Sequence, residues 1–284
     1  MEEHRNKKRK LQDKVGRARI PSFTELPFDV FDKIVDYLTL QELLAFRSIS
    51  KYCFGLVDCS LRAREVLDVD KEKICCATHF QVILLLCRRL RKISLMNGAK
   101  WLTDDICADL IRNNPRLEIF ELGFTKITTK GLEPLINCEK LAVLTLYCMN
   151  IRDDFLEAMS RTHKNLVEIN LTLNDDLTGK GIATLVAKQP RLRFLAIPDL
   201  NNNDPIAKAI IKNCPDFRCI YLPNHHIGSD KALEKMAKLC PKLEVISLSE
   251  HSKHYEHTMR YVESKGVKLT QDYFVDYEFY KLKN

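Results

Sequence analysis

Apolar residues recur along this chain in one spacing: apolar, two positions, apolar, one position, apolar. The seven instances are Leu90-Ile93-Leu95, Leu117-Phe120-Leu122, Leu141-Leu144-Leu146, Leu166-Ile169-Leu171, Leu192-Leu195-Ile197, Phe217-Ile220-Leu222 and Leu243-Ile246-Leu248. Successive starts lie 27, 24, 25, 26, 25 and 26 residues apart. Within each instance the alternating positions put the apolar side chains on one face of a short strand. Between instances the period changes. Ile106-Leu110, Leu132-Ile136, Ile182-Val186, Ile206-Ile210 and Leu233-Ala237 are spaced i, i+4, as on the buried face of a helix. Thr103, Thr128, Thr178 and Ser229 stand where helix N-caps belong. Asn114-Pro115, Gln189-Pro190, Cys214-Pro215 and Cys240-Pro241 stop four of these helices ahead of the next strand.

A regular period of this length is the signature of a leucine-rich repeat. One strand and one helix per unit predict an α/β fold: a curved solenoid with parallel strands on the concave face and helices on the convex face. Arg64-Leu67-Val69, 26 residues before the first full instance, reads as a degenerate starter with its helix over Ile74 to Leu86. The solenoid is expected over residues 61–266, with about seven repeats. From Gly266 the period breaks, and Tyr273, Phe274, Tyr277, Phe279 and Tyr280 crowd together. Residues 267–284 are expected either to cap the solenoid end or to fold back over the concave face.

Residues 21–60 have a different texture. Pro27 suits a first helical turn. Val30, Ile34 and Leu38, with Phe31 beside them, make an i, i+4, i+8 stripe. Thr39 and Glu42 fit a capping box. Leu43, Leu44 and Phe46 mark a second helix, and Ile49, Cys53, Leu56 and Val57 a third. Three helices this short need a partner or a neighbouring domain to bury their apolar surface.

Charge changes the picture at one end. Of the net +7, residues 1–20 hold eight Lys/Arg against three acids, so the body is near neutral. Its charge gives no support to a nucleic-acid surface. The first twenty residues read as a solvated tail without a secretory signal, which predicts an intracellular protein of the nucleus, the cytoplasm or both. Lys7, Lys8, Arg9 and Lys10 form either a nuclear localisation signal or a basic tail with no address. The longest aliphatic run, Val82 to Leu86, is too short for a bilayer, and no membrane partner is expected. The eleven cysteines contain no Cys-x-x-Cys pair and are expected to be mostly free thiols.

Residues 26–54 resemble the F-box motif. They read Leu26-Pro27, then Val30, Ile34 and Tyr37-Leu38, then Leu40-Gln41-Glu42-Leu43, then Ile49-Ser50-Lys51. The repeats resemble the cysteine-containing leucine-rich type. Leu102-Thr103-Asp104, Ile127-Thr128 with Gly131-Leu132, and Leu177-Thr178 with Gly181-Ile182 echo its helix start, and Cys214-Pro215 and Cys240-Pro241 its helix end. The order is that of the F-box and leucine-rich-repeat proteins. The resemblance implies that Leu26, Pro27, Val30, Ile34, Leu38, Leu43 and Ile49 dock on a Skp-type adaptor. Through it the chain would join the cullin and RING subunits of an SCF-type ubiquitin ligase, as the subunit that recognises a protein substrate.

On each strand the residues between the pattern leucines should face the concave side. They form columns: Lys92, Ile119, Val143, Glu168, Phe194, Cys219 and Val245; then Ser94, Glu121, Thr145, Asn170, Ala196, Tyr221 and Ser247. Ile119, Val143, Tyr147, Phe194 and Tyr221 are the expected substrate contacts, because aromatic and apolar anchors favour protein recognition. Catalytic readings have little to stand on. There is no Gly-rich phosphate loop. His251, His254 and His257 share a spacing used by metal sites but have no acidic or cysteine partner nearby. His225-His226 falls in a loop. The chain is therefore expected to be a non-catalytic receptor, with no catalytic residue, no metal site and no cofactor. A non-degradative scaffold using the same repeats is the alternative.

Overall fold

The computed structural model describes residues 27–35, 37–69, 77–96, 101–200, 202–222, 230–248 and 256–270. The chain divides into two compact units, Met1–Ser60 and Leu61–Asn284.

In the first unit, helix α1 spans Phe28–Val35 and α2 Leu40–Arg47. Helix α3 begins at Lys51 and is assigned to Ala63. The α1 stripe was expected to continue through Leu38, but the helix stops three residues short. Thr39 is the N-cap of α2 and sits in extended backbone (φ −66°, ψ 159°), so the chain must leave helical geometry ahead of it. The capping box forms as its spelling predicts. The Thr39 N–H donates to Glu42 Oε2 at 2.8 Å, and the Glu42 N–H donates to Thr39 Oγ1 at 3.3 Å. Arg47 Nε donates to Asp58 Oδ1 at 2.6 Å, and its guanidinium lies 3.8 Å from the Phe54 ring centre, which pins α2 to α3.

The second unit is a stack of strand–helix units. Its strands are β1 Val66–Asp68, β2 Lys92–Leu95, β3 Ile119–Gly123, β4 Val143–Tyr147, β5 Glu168–Asn170, β6 Phe194–Ala196, β7 Cys219–Leu222, β8 Val245–Leu248 and β9 Lys268–Thr270. They form one sheet in chain order, every neighbouring pair parallel. Between them lie α4 Ala77–Leu86, α5 Asp104–Arg112, α6 Thr129–Leu132, α7 Asp153–Thr162, α8 Gly179–Val186, α9 Asp204–Asn213, α10 Asp230–Leu239 and α11 Glu256–Ser264. The α6 helix lasts one turn and passes into a 3-10 segment, Glu133–Asn137, where Pro134 enters. The register aligns Lys92, Ile119, Val143, Glu168, Phe194, Cys219 and Val245 across successive strands, as the repeat spacing requires. The sheet runs past Gly266: Lys268 pairs with Val245 at β9. The pattern residues Leu90, Ile93, Leu117, Phe120, Leu141, Leu144, Leu166 and Ile169 are all fully buried.

Two ladders bind unit to unit. The first lies three residues ahead of each strand's first pattern residue, at Cys87, Asn114, Cys138, His163, Gln189, Cys214 and Cys240, all buried. Asn114 Nδ2 donates to the Cys87 carbonyl at 3.1 Å, and Asn114 Oδ1 accepts from the Leu90 N–H at 2.8 Å. His163 Nε2 meets the Cys138 carbonyl at 3.1 Å. Gln189 Nε2 donates to the His163 carbonyl at 2.8 Å, and Cys214 Sγ to the Gln189 carbonyl at 3.4 Å. Each side chain thus satisfies a carbonyl that a helix end leaves without a partner. A carbonyl only accepts, so His163 carries its proton on Nε2, and Nδ1 accepts from the Thr162 hydroxyl at 2.9 Å.

The second ladder joins helix starts. Asp104 Oδ1 and Oδ2 accept from the Thr128 N–H and hydroxyl at 2.8 and 2.7 Å. Asp153 does the same for Thr178 at 2.9 and 2.6 Å. Gly131 and Gly181 leave room for those carboxylates. A Cβ on Gly131 would lie 2.7 Å from Asp104 Oδ1, and one on Gly181 would overlap the Asp153 carboxylate.

Gly→Ala inside a helix ordinarily stabilises by up to about 1 kcal/mol. Here Gly181→Ala should destabilise by about 1–3 kcal/mol through overpacking. Denaturant titration should show that cost shrinking in an Asp153→Ala background, as coupled neighbours require. Burial of His163 holds its imidazole below the ordinary histidine pKa. Stability from this group is full above the unfolded-state pKa of about 6.5 and is lost as pH falls from there towards the lower folded-state value. A melting-temperature series from pH 7.5 downward should show this decline, and His163→Gln, which supplies a non-titrating donor as Gln189 does, should flatten it.

Candidate functional site

Two surfaces, one on each unit, hold the residues singled out by the sequence. On α1, Phe31 and Val35 are buried, while Val30 is 39% exposed and Ile34 half-buried, four residues further along. Pro27 is exposed ahead of the helix, where its carbonyl accepts from the Val30 and Phe31 N–H groups. Leu38 is half-buried, and Ile49 is 69% exposed. The outward stripe of Pro27, Val30 and Ile34 follows from helical periodicity. Leu43 breaks the expectation of an outward contact: it has no exposed surface, because α2 turns it inward with Leu40. Leu26 lies outside the described residues. Tyr37, 89% exposed, and Tyr52 add aromatic surface that the stripe does not reveal.

On the sheet, the face opposite the pattern leucines is more closed than alternation predicts. Ser94, Glu121, Thr145, Asn170, Ala196 and Ser247 are all buried. Lys92 Nζ pairs with the buried Glu121 at 3.1 Å. Asn170 Oδ1 accepts from the Thr172 N–H and hydroxyl at 3.1 and 2.7 Å. Phe194, expected as an exposed anchor, is only 4% exposed and packs in a cluster with Ala196, Cys219 and Val245, with Tyr221 against it. Strand alternation says which face a residue takes, not how deeply that face is buried. Ile119, Val143, Tyr147 and Tyr221 remain partly exposed. Burial pushes the Tyr147 and Tyr221 hydroxyls above the usual tyrosine pKa, so both stay neutral donors.

The more accessible apolar surface lies where the strands end. Phe124, Cys148 and Leu173 occupy the same repeat position, two residues past the last pattern leucine of their strands. All three have left-handed backbone, φ 52°, 54° and 57°. The ladder holds them there: the Phe124 N–H donates to the Tyr147 carbonyl and the Cys148 N–H to the Thr172 carbonyl, both at 3.1 Å. This conformation suits Gly or Asn, so Phe and Leu here carry strain. Phe124 and Leu173 are exposed, and the Phe124 ring stands edge-on to Tyr147 with centres 5.0 Å apart. Tyr147, Phe124 and Leu173 thus form an apolar rim on the downstream edge of β3–β5. Phe124 and Leu173 were missed by reading strand faces alone; the shared offset after Leu122 and Leu171 was the available signal.

The remaining chemistry is structural. Burial pushes the thiols of Cys107 and Cys214 up to about 12, and those of Cys138 and Cys240 up to about 11. Such thiols remain protonated and serve as packing groups or weak donors. The nine cysteines among the described residues are free of disulfides. His257 is exposed on α11. His225, His226, His251, His254, the basic cluster Lys7–Lys10 and the aromatic run from Tyr273 lie outside the described residues. No helix among the described residues is long and apolar enough to cross a membrane.

The F-box domain model matches residues 23–60. No curated protein matches the chain. Among solved structures, it is similar to the yeast Rad7 and Elc1 complex at 14% identity, covering 95% of this chain and 96% of that chain, with a TM-score of 0.30. It is also similar to actin-binding site 2 of leiomodin-1 at 14% identity, covering 72% of this chain and 91% of that chain, with a TM-score of 0.29. Likenesses of that size leave the fold to be read from its own strands.

Replacing Leu173 by Gly should separate folding from recognition. Relief of left-handed backbone should hold or raise stability by up to about 1 kcal/mol. Capture of partner proteins by the full chain should fall together with the loss of this exposed side chain. Unchanged capture would remove Leu173 from the site.

Proposed function

We propose that this chain is the substrate-recognition subunit of an SCF-type ubiquitin ligase. Helices α1–α3 dock on a Skp-type adaptor, and through it the chain joins cullin and RING subunits. The observation that carries the reading is the F-box domain match over residues 23–60, on which an outward apolar stripe falls. Pro27, Val30, Ile34, Leu38 and Ile49 supply contacts, with Leu26 at the start of the motif. Exposed apolar residues on a helical unit too small to form a large core are a plausible docking face. Leu43 supports this face from within.

The second unit is the receptor. We read it as a leucine-rich-repeat solenoid, with strands on its concave face and helices on its convex face, that binds a protein substrate for ubiquitination. Ile119, Val143, Tyr147 and Tyr221 contribute from the sheet, Phe124 and Leu173 from its downstream rim. No catalytic residue is required of such a subunit. It acts by holding substrate lysines near a charged carrier enzyme, which raises their effective concentration. It works in the nucleus, the cytoplasm or both, with Lys7, Lys8, Arg9 and Lys10 as the candidate import address.

The test is affinity purification of the full chain beside Val30→Glu and Ile49→Glu variants. Wild type should retain adaptor and cullin. Each charge should cost about 2 kcal/mol or more, roughly thirtyfold in adaptor affinity, as for a central interface residue. Both positions are exposed, so the variants should keep the wild-type melting temperature. Wild-type preparations without adaptor and cullin would overturn the ligase reading in favour of a non-degradative scaffold.

A further inference from the structure

The loops that lead into the strands form an edge chemically unlike the apolar rim. Ahead of β2, β3 and β4, a cleft of about 320 Å³ is lined by five cations: Arg88, Arg89, Arg91, Arg116 and Lys140. Glu65 and Glu118 are its carboxylates. Both are committed to Arg91. Glu118 Oε1 accepts from Arg91 Nη2 at 2.7 Å and from Nε at 3.0 Å, and Glu65 Oε2 lies 3.7 Å from Nη1. Arg88 is held by neutral acceptors, the Leu85 carbonyl at 3.3 Å and the Asn113 side chain. Those bonds position its guanidinium without cancelling its charge. Among the described residues, Arg89, Arg116 and Lys140 form no ion pair with a carboxylate. Five cations and two carboxylates therefore leave the cleft with a formal surplus of three positive charges.

Further along the same edge, two cations are paired with carboxylates. Arg218 pairs with Glu244 at 3.1 Å, and Lys242 pairs with Asp216. Adjacent strands are about 4.8 Å apart, so the loops carrying Arg89, Arg116 and Lys140 span about 10 Å. Arms of that length can close on one compact oxyanion. Guanidinium groups bind phosphoryl oxygens through paired N–H donors, and an ammonium adds a point charge. A nucleic-acid duplex is instead bound through cations spread along its phosphate backbone. Here the cations gather in one cleft, and Glu118 sits among them.

We propose that this cleft binds a phosphorylated side chain of a partner protein. The inference rests on the receptor reading above and names its substrate class. Arg116, Arg89 and Lys140 hold the phosphoryl oxygens, Arg88 is a fixed fourth donor, and the Glu65–Arg91–Glu118 cluster forms the rigid wall.

The experiment measures binding of the full chain to a phosphoserine peptide pool with degenerate flanks, by fluorescence anisotropy. The same pool unphosphorylated, the pool with Glu at the central position, and inositol hexakisphosphate are the other arms. The phosphorylated pool should bind at least tenfold tighter than either other peptide pool. An Arg116→Glu/Lys140→Glu variant should lose at least tenfold, with Arg116→Ala/Lys140→Ala intermediate and Lys188→Glu, an exposed control elsewhere, within twofold of wild type. Melting temperatures of all variants should match wild type. Equal binding of the three pools, or a cleft variant as tight as wild type, overturns the proposal. Tight inositol hexakisphosphate with no preference among peptides also overturns it, by assigning the cleft to a soluble phosphate. Adaptor retention is scored on the same preparations. Adaptor retained without phosphopeptide preference sinks the cleft and leaves the ligase reading standing; the reverse pattern sinks the ligase reading and leaves the cleft.

Discussion

A buried donor placed at the end of one helix, aimed at the carbonyl in the same place one unit earlier, is what the rest of this molecule depends on. A single strand–helix unit cannot bury its own apolar face, so stability comes from the grip between neighbours. Strand ladders supply that grip on one side. At the helix ends, carbonyls are left over, and burying them without partners would cost about 1–3 kcal/mol each. Asn114, His163, Gln189 and Cys214 answer the need with four different chemistries. What the position requires is a donor of the right reach, not a particular residue. At Cys214 a protonated thiol fills that role: it is small, tolerates burial and donates weakly.

Helix starts are fixed by a different device. Asp104 and Asp153 each hold a capping threonine of the following unit through two hydrogen bonds. The carboxylate also sits in the first turn of its own helix, where negative charge is favoured. Gly131 and Gly181 are required by this contact rather than by backbone conformation, since any Cβ would collide with the aspartate. Both helix ends are consumed by these contacts, and the exposed apolar and cationic side chains lie at the two ends of the strands.

Much of this was legible in the spacing of apolar residues. Seven strands, their register and the capping role of Thr103, Thr128 and Thr178 follow from it. The ninth strand did not, because Val267 and Leu269 lack a pattern leucine ahead of them. Phe194 shows a deeper limit. Its column was legible, yet whether a column lies open depends on what packs against it in three dimensions, and Phe194 is buried in a cluster with Cys219, Ala196 and Val245. Leu43 shows another limit: α2 turns it inward beside Leu40. Phe124 and Leu173 escaped because a left-handed residue is usually sought as Gly or Asn, and here the parallel ladder imposes that backbone on large apolar side chains.

The two edges share strands. Arg116 and Glu118 lead into β3 and Lys140 into β4; Phe124 follows β3, and Tyr147 ends β4. A five-residue strand is about 17 Å long, a span that about six extended residues of a bound segment cover. A partner anchored at the proposed cationic cleft would therefore reach the apolar rim without bending the stack. Each contact alone would be small, but the strands join both edges in one sheet, so the second would form at a high effective concentration once the first is made. Specificity would then lie in the separation of charge and apolar anchor along the bound segment, a distance set by strand length. Loosening a helix-end ladder between β2 and β5 would blur that distance even with every contact residue intact.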